Sequence, residues 1–284
     1  SKITTSVLKI IRSALFRSRC RKIHKCSLGY YLKRSLAIPR VSCEDRVVVT
    51  FTTTPDRIAH IDVMLKSILD QTVLPDKIYL CIPELSRPTQ SEYPIPDWFK
   101  DIPLLEIIKT PKDLGPITKL IPTWLKEREN GDTRIIIVDD DHVYSRYLVE
   151  SLVLWSERLP EAALGCSGVL VPSGYLPSDV IYAKKDFLRD LRLISSHVNA
   201  LSRIDYLFGY AGVLLRPKFL NDDILDYSNA PKGAFFEDDL WISGHLAQAN
   251  IDRYVISSPN ERLMPGSCKS TRDTAALGLE ENKG

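Results

Sequence analysis

Apolar and polar positions change period several times along the 284-residue chain, and the changes outline alternating strands and helices. Val47–Phe51 is an unbroken β-branched and aromatic run ended by Thr52-Thr53-Thr54-Pro55, the pattern of a buried strand entering a loop. Between Ile58 and Leu69 the apolar residues fall at 58, 61, 64, 65, 68 and 69, which is helical spacing. Lys77–Ile82 predicts the next strand, bounded by Pro75 and Pro83, and a proline-rich excursion follows to Pro96. Leu104–Ile108 predicts a third strand, Thr118–Glu129 a helix, and Arg134–Val138 a fourth strand with a continuous apolar centre. A helix over Leu148–Glu157, a strand near Gly168–Val171, a polar segment from about 172 to 205, a strand or hairpin over Gly212–Arg216 and a helix over Asp239–Ala249 complete the pattern. Strands alternating with helices predict an α/β fold: one Rossmann-like domain with a mostly parallel sheet flanked by helices.

Charge divides the chain in two. Residues 1–43 carry eleven Lys or Arg and no acid, leaving 27 basic against 36 acidic residues in 44–284, although the net charge is only +2. The expected organisation is therefore a basic N-terminal extension, 1–43, and a mildly acidic domain, 44–284. In the extension, Val7, Ile10, Ile11, Ala14 and Leu15 share one helical face amid Lys9, Arg12, Arg17, Arg19, Arg21, Lys22 and Lys25. That composition suits a helix lying on an anionic membrane through residues 1–40, a nucleic-acid-binding arm, or a helix packed on the body. The start at Ser1 also suits an anchor removed upstream, whereas a secretory signal does not fit the charge-interrupted apolar run. Nothing approaches the ~20 apolar residues of a membrane span. Six scattered cysteines without a CxxC pair suggest reduced thiols and a cytoplasmic setting, with two or three disulfides as the alternative.

The most informative segment is Ile135-Ile-Ile-Val-Asp139-Asp140-Asp141-His142. Apolar residues run directly into three carboxylates, which places the acids at the carboxyl end of a buried strand, the edge where ligands bind open parallel sheets. Alternation along a strand would point Asp139 and Asp141 one way and Asp140 the other. Packed like charges need compensation, and a hard divalent ion such as Mn²⁺ or Mg²⁺ on Asp139 and Asp141, completed by a nucleotide diphosphate, would supply it. A solvated acidic turn is the alternative, and His142 reads as packed or hydrogen-bonded rather than as a ligand.

An apolar strand ending in a DxD or DDD triplet resembles the signature of GT-A glycosyltransferases. Val49–Arg57 resembles their first strand and nucleotide loop, and Leu65-Lys-Ser-Ile-Leu-Asp-Gln-Thr72 with Pro75-Asp-Lys-Ile-Tyr79 resembles the "SIL.QT..P..I" stretch of family 2-like transferases. Asp113–Lys119, the triplet and Glu237-Asp238-Asp239 are similar in order to glycosyltransferase domains of bacteria and large algal viruses. The resemblance covers about residues 46–262 and omits the basic extension. It implies a GT-A fold and a metal-dependent sugar transfer. The donor would be a nucleotide-diphosphate sugar carrying UDP or GDP, and the acceptor a hydroxyl of a glycan or glycoconjugate, with no nucleic-acid partner. It also places Glu237–Asp239 where inverting GT-A enzymes carry an "ED" element. Asp238 is then the expected catalytic base, Asp239 the second choice, and Glu237 an acceptor-orienting or helix-capping residue. Capping and the helix dipole would by themselves explain acids at that position.

Other residues are read around this frame. Thr52 and Thr53 can bind base or ribose; Arg57 and Lys119 can neutralise phosphate, or be surface charges. Asp140 is expected on the ribose or sugar. Gly209-Tyr210-Ala211-Gly212 admits a sugar with Tyr210 stacked on it, or simply forms a tight turn. Lys269, Ser270, Thr271 and Arg272 suit a mobile lid over the diphosphate, or a solvated terminus. Two rival readings remain: a nucleotidyltransferase, and a non-catalytic membrane- or nucleic-acid-binding module. Retention of activity without residues 1–40 would argue against the module. No GxxxxGK[ST] loop is present, which opposes P-loop chemistry.

Overall fold

Val47–Phe51 (β1) has no polar face except Thr50, so it needs cover on both sides and neighbours on both edges. A computed structural model supplies these for residues 2–41, 45–174, 192–195, 201–230, 233–258, 263 and 265–267, with backbone alone for 2–10, 12 and 13. β1 pairs in parallel with Lys77–Pro83 (β2) and with Arg134–Ile137 (β4), and β2 pairs in parallel with Leu105–Thr110 (β3). Beyond β4 lie Val213–Leu215 (β11, antiparallel), Ala162–Gly165 (β6), Asp252–Ile256 (β12, parallel to β6) and Leu201–Arg203 (β9, antiparallel). The eight-stranded order is β3-β2-β1-β4-β11-β6-β12-β9.

Alternation along β1 divides the core. Val47, Val49 and Phe51 join a cluster that includes Met64 and Leu65 of Asp62–Leu69 (α3) and Leu148 and Leu152 of Leu148–Arg158 (α5). Val48 faces the other cluster, with Trp124 of Ile121–Glu127 (α4) and Ile242 and Leu246 of Asp238–Gln248 (α6). The fold is therefore the expected α/β arrangement of a large, mostly parallel sheet flanked by helices.

Three elements differ from the sequence pattern. The helix expected over Thr118–Glu129 is a 3₁₀ turn, Gly115–Lys119, followed by α4. Pro122 lacks the N–H that an unbroken helix requires there but fits a first turn. The strand near 168–171 is Ser167–Val169 (β7), in a separate three-stranded sheet with Arg192–Ile194 (β8) and Tyr206–Leu207 (β10). The 172–205 segment thus contains β8 and β9, while 175–191 and 196–200 lie outside the described residues.

The basic extension forms two helices, Lys2–Lys25 (α1) and Leu28–Ser35 (α2), docked on the domain. Phe16, Ile23 and Tyr31 are buried. Buried Asp70 accepts from Arg19 Nε at 2.9 Å and Arg34 Nε at 2.6 Å, while Lys66 donates to the carbonyls of Ile23 (3.3 Å) and Cys26 (3.1 Å). Of the readings of this segment, packing on the body is realised from Phe16 onward. Deleting residues 1–40 is expected to lower stability by at least about 4 kcal/mol, since three large side chains each worth about 1.5–3 kcal/mol leave the interface. Urea denaturation of the two proteins measures this. No disulfide joins the described cysteines, Cys43 and Cys268 lying outside them. No described helix is long and apolar enough to cross a membrane.

Candidate active site

β4 carries Ile135, Ile136 and Ile137 through the core, and the chain leaves the sheet after Val138. Asp139, Asp140 and Asp141 are thereby delivered to the carboxyl-terminal edge. β1, parallel beside it, delivers Thr52, Thr53 and Arg57 to the same edge. Lys119 arrives at the end of its 3₁₀ turn, where Thr50 Oγ1 donates to its carbonyl at 2.6 Å. The start of α6 brings Asp238. A cleft of about 160 Å³ is lined by Thr52, Arg57, Pro116, Lys119, all three acids of the triplet, Phe236 and Asp238.

The charges inside this cleft pair with one another. Lys119 Nζ lies 2.8 Å from Asp139 Oδ1 and 2.9 Å from Asp238 Oδ2, so one buried ammonium bridges the two acidic segments. Arg57 spans Asp140 (3.1 Å) and Asp141 (3.0 Å). Thr53 Oγ1 donates to Asp140 Oδ2 at 2.6 Å, and His142 Nδ1 stands 2.6 Å from Asp141 Oδ1. The expected alternation of the triplet does not hold: Asp140 and Asp141 share Arg57, because strand geometry ends at Ile137 and the acids occupy a turn.

Environment separates the acids further. Burial pushes Asp140 up to about 7, against the pull of Arg57 and the Thr53 hydrogen bond. Burial also works to raise Asp141, but the hydrogen bond and charge of His142, together with Arg57, hold it down at about 2. Asp239 is raised well above the usual carboxylate range by burial and by Asp238, and Glu237 is raised by the same two causes. Lys119 is raised well above an ordinary lysine, since Asp139, Asp238 and Asp239 outweigh its burial.

The second acidic cluster divides in space. Only Asp238 lines the cleft. Asp239 Oδ1 accepts the Gly209 amide at 2.9 Å, and Glu237 stands at the N-cap of α6 without a side-chain cap hydrogen bond, so the capping role is not realised. Gly209 must be glycine: a Cβ there would lie 2.5 Å from Asp239 Oδ1 and 3.3 Å from Lys119 Nζ. Tyr210 is half-buried with its ring centroid 5.2 Å from that of His142 and the Arg192 guanidinium 5.1 Å from it. Sequence reasoning missed Pro116 and Phe236, which line the cleft, and Tyr144. The Tyr144 hydroxyl accepts the Asp139 amide at 2.8 Å and donates to the Tyr210 carbonyl at 2.9 Å. Only the aromatic character of Tyr144 close behind the triplet hinted at this. Lys269–Arg272 lie outside the described residues.

Two solved structures are similar to this chain. One is the mannosyltransferase PcManGT from Pyrobaculum calidifontis, in complex with GDP-Man and Mn²⁺, with a TM-score of 0.42 and 16% identity over 90% of this chain and 67% of that one. Another is S. aureus TarS 1-349, with a TM-score of 0.48 and 12% identity over 78% of this chain and 60% of that one. No protein-family model and no curated protein matches the sequence.

Among the described residues no three metal-ligating side chains converge into a ready-made metal cage. The donors that face the cleft are few: Asp139 and Asp141 retain 31% and 24% side-chain exposure, whereas Asp140 retains 4% and is held by Arg57 and Thr53. One or two carboxylates completed by substrate phosphates is the usual way in which Mg²⁺ is bound beside nucleotides, and this donor set fits that mode. It does not fit a site built from protein ligands alone.

Proposed function

We propose that the protein transfers a sugar from a nucleotide-diphosphate sugar to an acceptor hydroxyl, with Mn²⁺ or Mg²⁺ and inversion at the anomeric carbon. The observation that supports this most is the convergence of Asp139, Asp141, Lys119 and Asp238 in one cleft at the carboxyl-terminal edge of the sheet. Asp139 and Asp141 hold the cation, which when bound neutralises charge on the departing diphosphate. Asp140, itself held by Thr53, keeps Arg57 beside the cleft on the donor side. Thr52 and Arg57 lie on the donor side of the cleft, and Lys119 exchanges its carboxylate partners for phosphate oxygens. Asp238, thereby relieved of its lysine, takes the acceptor proton while the acceptor oxygen attacks the anomeric carbon. The bond from that carbon to the diphosphate oxygen breaks, and a UDP or GDP leaves. Asp239 keeps Gly209 in place rather than serving as the base, and Glu237 faces the acceptor side. The acceptor is a glycan or glycoconjugate.

Incubation with UDP- and GDP-sugars and Mn²⁺ tests the reading. Nucleoside diphosphate as product supports it, and pyrophosphate would point to nucleotidyl transfer instead. Asp238→Asn is expected to lower transfer about 10²–10⁴-fold while the donor-induced thermal shift persists. Undiminished transfer in that variant would move the base elsewhere.

The partner of the basic extension is an anionic membrane surface on the cytoplasmic side. With Phe16 and Ile23 buried, Ile11, Ala14 and Leu15 remain exposed, as do Arg17, Arg21, Lys22 and Lys25 farther along α1. Apolar and basic groups together fit such a surface better than nucleic acid. The protein should float with vesicles of phosphatidylcholine and phosphatidylserine but not with phosphatidylcholine alone, and Leu15→Glu should abolish flotation.

A further inference from the structure

The mechanism leaves unused a buried relay that joins α1 to both acidic segments. Arg19, on the inner face of α1, donates through its guanidinium to the carbonyl of Tyr144, to the carbonyl of Ser67 (3.2 Å) and to Asp70 (2.9 Å). Tyr144 is fully buried, and each of its polar groups is fastened. Its amide donates to Ser67 Oγ at 3.1 Å and its carbonyl is capped by Arg19. Its hydroxyl ties the Asp139 amide (2.8 Å) to the Tyr210 carbonyl (2.9 Å). Next in the chain to Tyr210, Gly209 holds Asp239.

A second contact reaches the same place. Gly266–Ser267 (β13) pairs antiparallel with His142–Val143 (β5), directly after the triplet. At Gly266 a Cβ would lie 3.0 Å from Phe16 Cε1 and 3.3 Å from Cys20 Sγ, so α1 packs closely over β13. Phe16, Arg19, Cys20 and Ile23 recur at helical spacing along the face that meets the domain.

We infer that Arg19 and Tyr144 are positioning residues: the docked helix α1, through Arg19 and the Tyr144 hydroxyl, sets the backbone geometry of the Asp139–Asp141 turn and of the Gly209–Gly212 turn together. What the positioned acids then do rests on the transferase reading above; the coupling itself does not. One guanidinium bond holds the Tyr144 carbonyl while two more, to the Ser67 carbonyl and Asp70, hold the guanidinium itself, and buried polar groups fastened at both ends rigidify what they connect. Loosening Arg19 therefore frees the first acid of the triplet and the anchor of Asp239 at once. A helix that merely covered apolar surface would leave both turns unchanged.

Hydrogen exchange measured by mass spectrometry separates these cases without any substrate. In Arg19→Met, and in Tyr144→Phe, which keeps the ring in the core, peptides covering 136–146 and 207–213 should exchange at least about tenfold faster, while peptides covering β1 and β2 keep their rates. Acceleration confined to α1, α2 and α3 in Arg19→Met would overturn the proposal. Should that variant unfold globally, Arg19→Lys carries the test, since an ammonium replaces the planar fork: faster exchange in the two turns supports the relay and unchanged exchange rejects it. The transferase reading fails by a different sign. If UDP or GDP with Mn²⁺ produces no thermal shift in the parent protein, that reading is lost, while the exchange pattern still decides the coupling.

Discussion

Lys119→Met should destabilise the protein by about 3–5 kcal/mol at pH 8. The lysine side chain is 6% exposed and stands within 2.9 Å of carboxylates from two different segments. Methionine matches its length and apolar stem but removes the charge that compensates Asp139, Asp238 and Asp239, the groups that raise the lysine well above its ordinary value. A lysine raised in the folded state contributes its full stabilisation below its ordinary value of 10.5 and loses it only as pH climbs through the higher folded value. In the parent this contribution is therefore constant across the neutral range. The variant behaves differently. Asp239, already raised by burial and by Asp238, loses the pull of Lys119 and binds its proton more readily folded than unfolded, so the variant regains stability as pH falls. The deficit should accordingly be largest at pH 8 and smaller at pH 5, measured by urea denaturation at both. Equal stability of variant and parent at pH 8 would mean that the acids are solvated independently of Lys119, and the bridge between the two segments would be wrong.

That bridge also shows where sequence pattern stops being informative. The strands at 47–51, 77–82 and 134–138 were legible because runs without a polar face have few homes other than the centre of a parallel sheet. Placing Asp139–Asp141 at the sheet edge followed from the same reasoning. Partners far apart in sequence did not follow. Arg57 and Lys119 read as phosphate-binding cations, yet in the structure they meet the acids, 84 and 20 residues away in the chain, and nothing in local spacing announces either pair. Likewise, Glu237, Asp238 and Asp239 are equivalent as a string. In the structure Asp238 lines the cleft while Asp239 accepts the Gly209 amide. The extension was hardest to read. Its anchored face mixes Phe16, Arg19, Cys20 and Ile23, and Arg19 has a buried place only because Asp70 and two carbonyls wait for it.

Asp141→Ala should lower sugar transfer by about 10³-fold and abolish the Mn²⁺-dependent part of the thermal shift given by UDP or GDP. His142 and Arg57 overcome the burial of Asp141 and hold it down at about 2, so it is a carboxylate throughout the working range and no proton competes with a cation for it. Asp140, pushed up to about 7 and enclosed by Arg57 and Thr53, cannot take its place. Asp139 remains, but one carboxylate alone would not hold a cation beside the diphosphate. Stability should suffer less. A carboxylate with a lowered value contributes stability above its ordinary 3.8 and loses it as pH falls toward 2, so the whole contribution is removed at pH 7. Asp140 still satisfies Arg57, however, which limits the loss to about 1–2 kcal/mol. The two measurements must therefore separate: a folded protein, near the parent in denaturation, that no longer distinguishes nucleotide with Mn²⁺ from nucleotide without it. A variant that kept the Mn²⁺-dependent shift would remove Asp141 from the ligand set and leave Arg57 and Lys119, rather than a metal ion, as the counter-charges of the diphosphate.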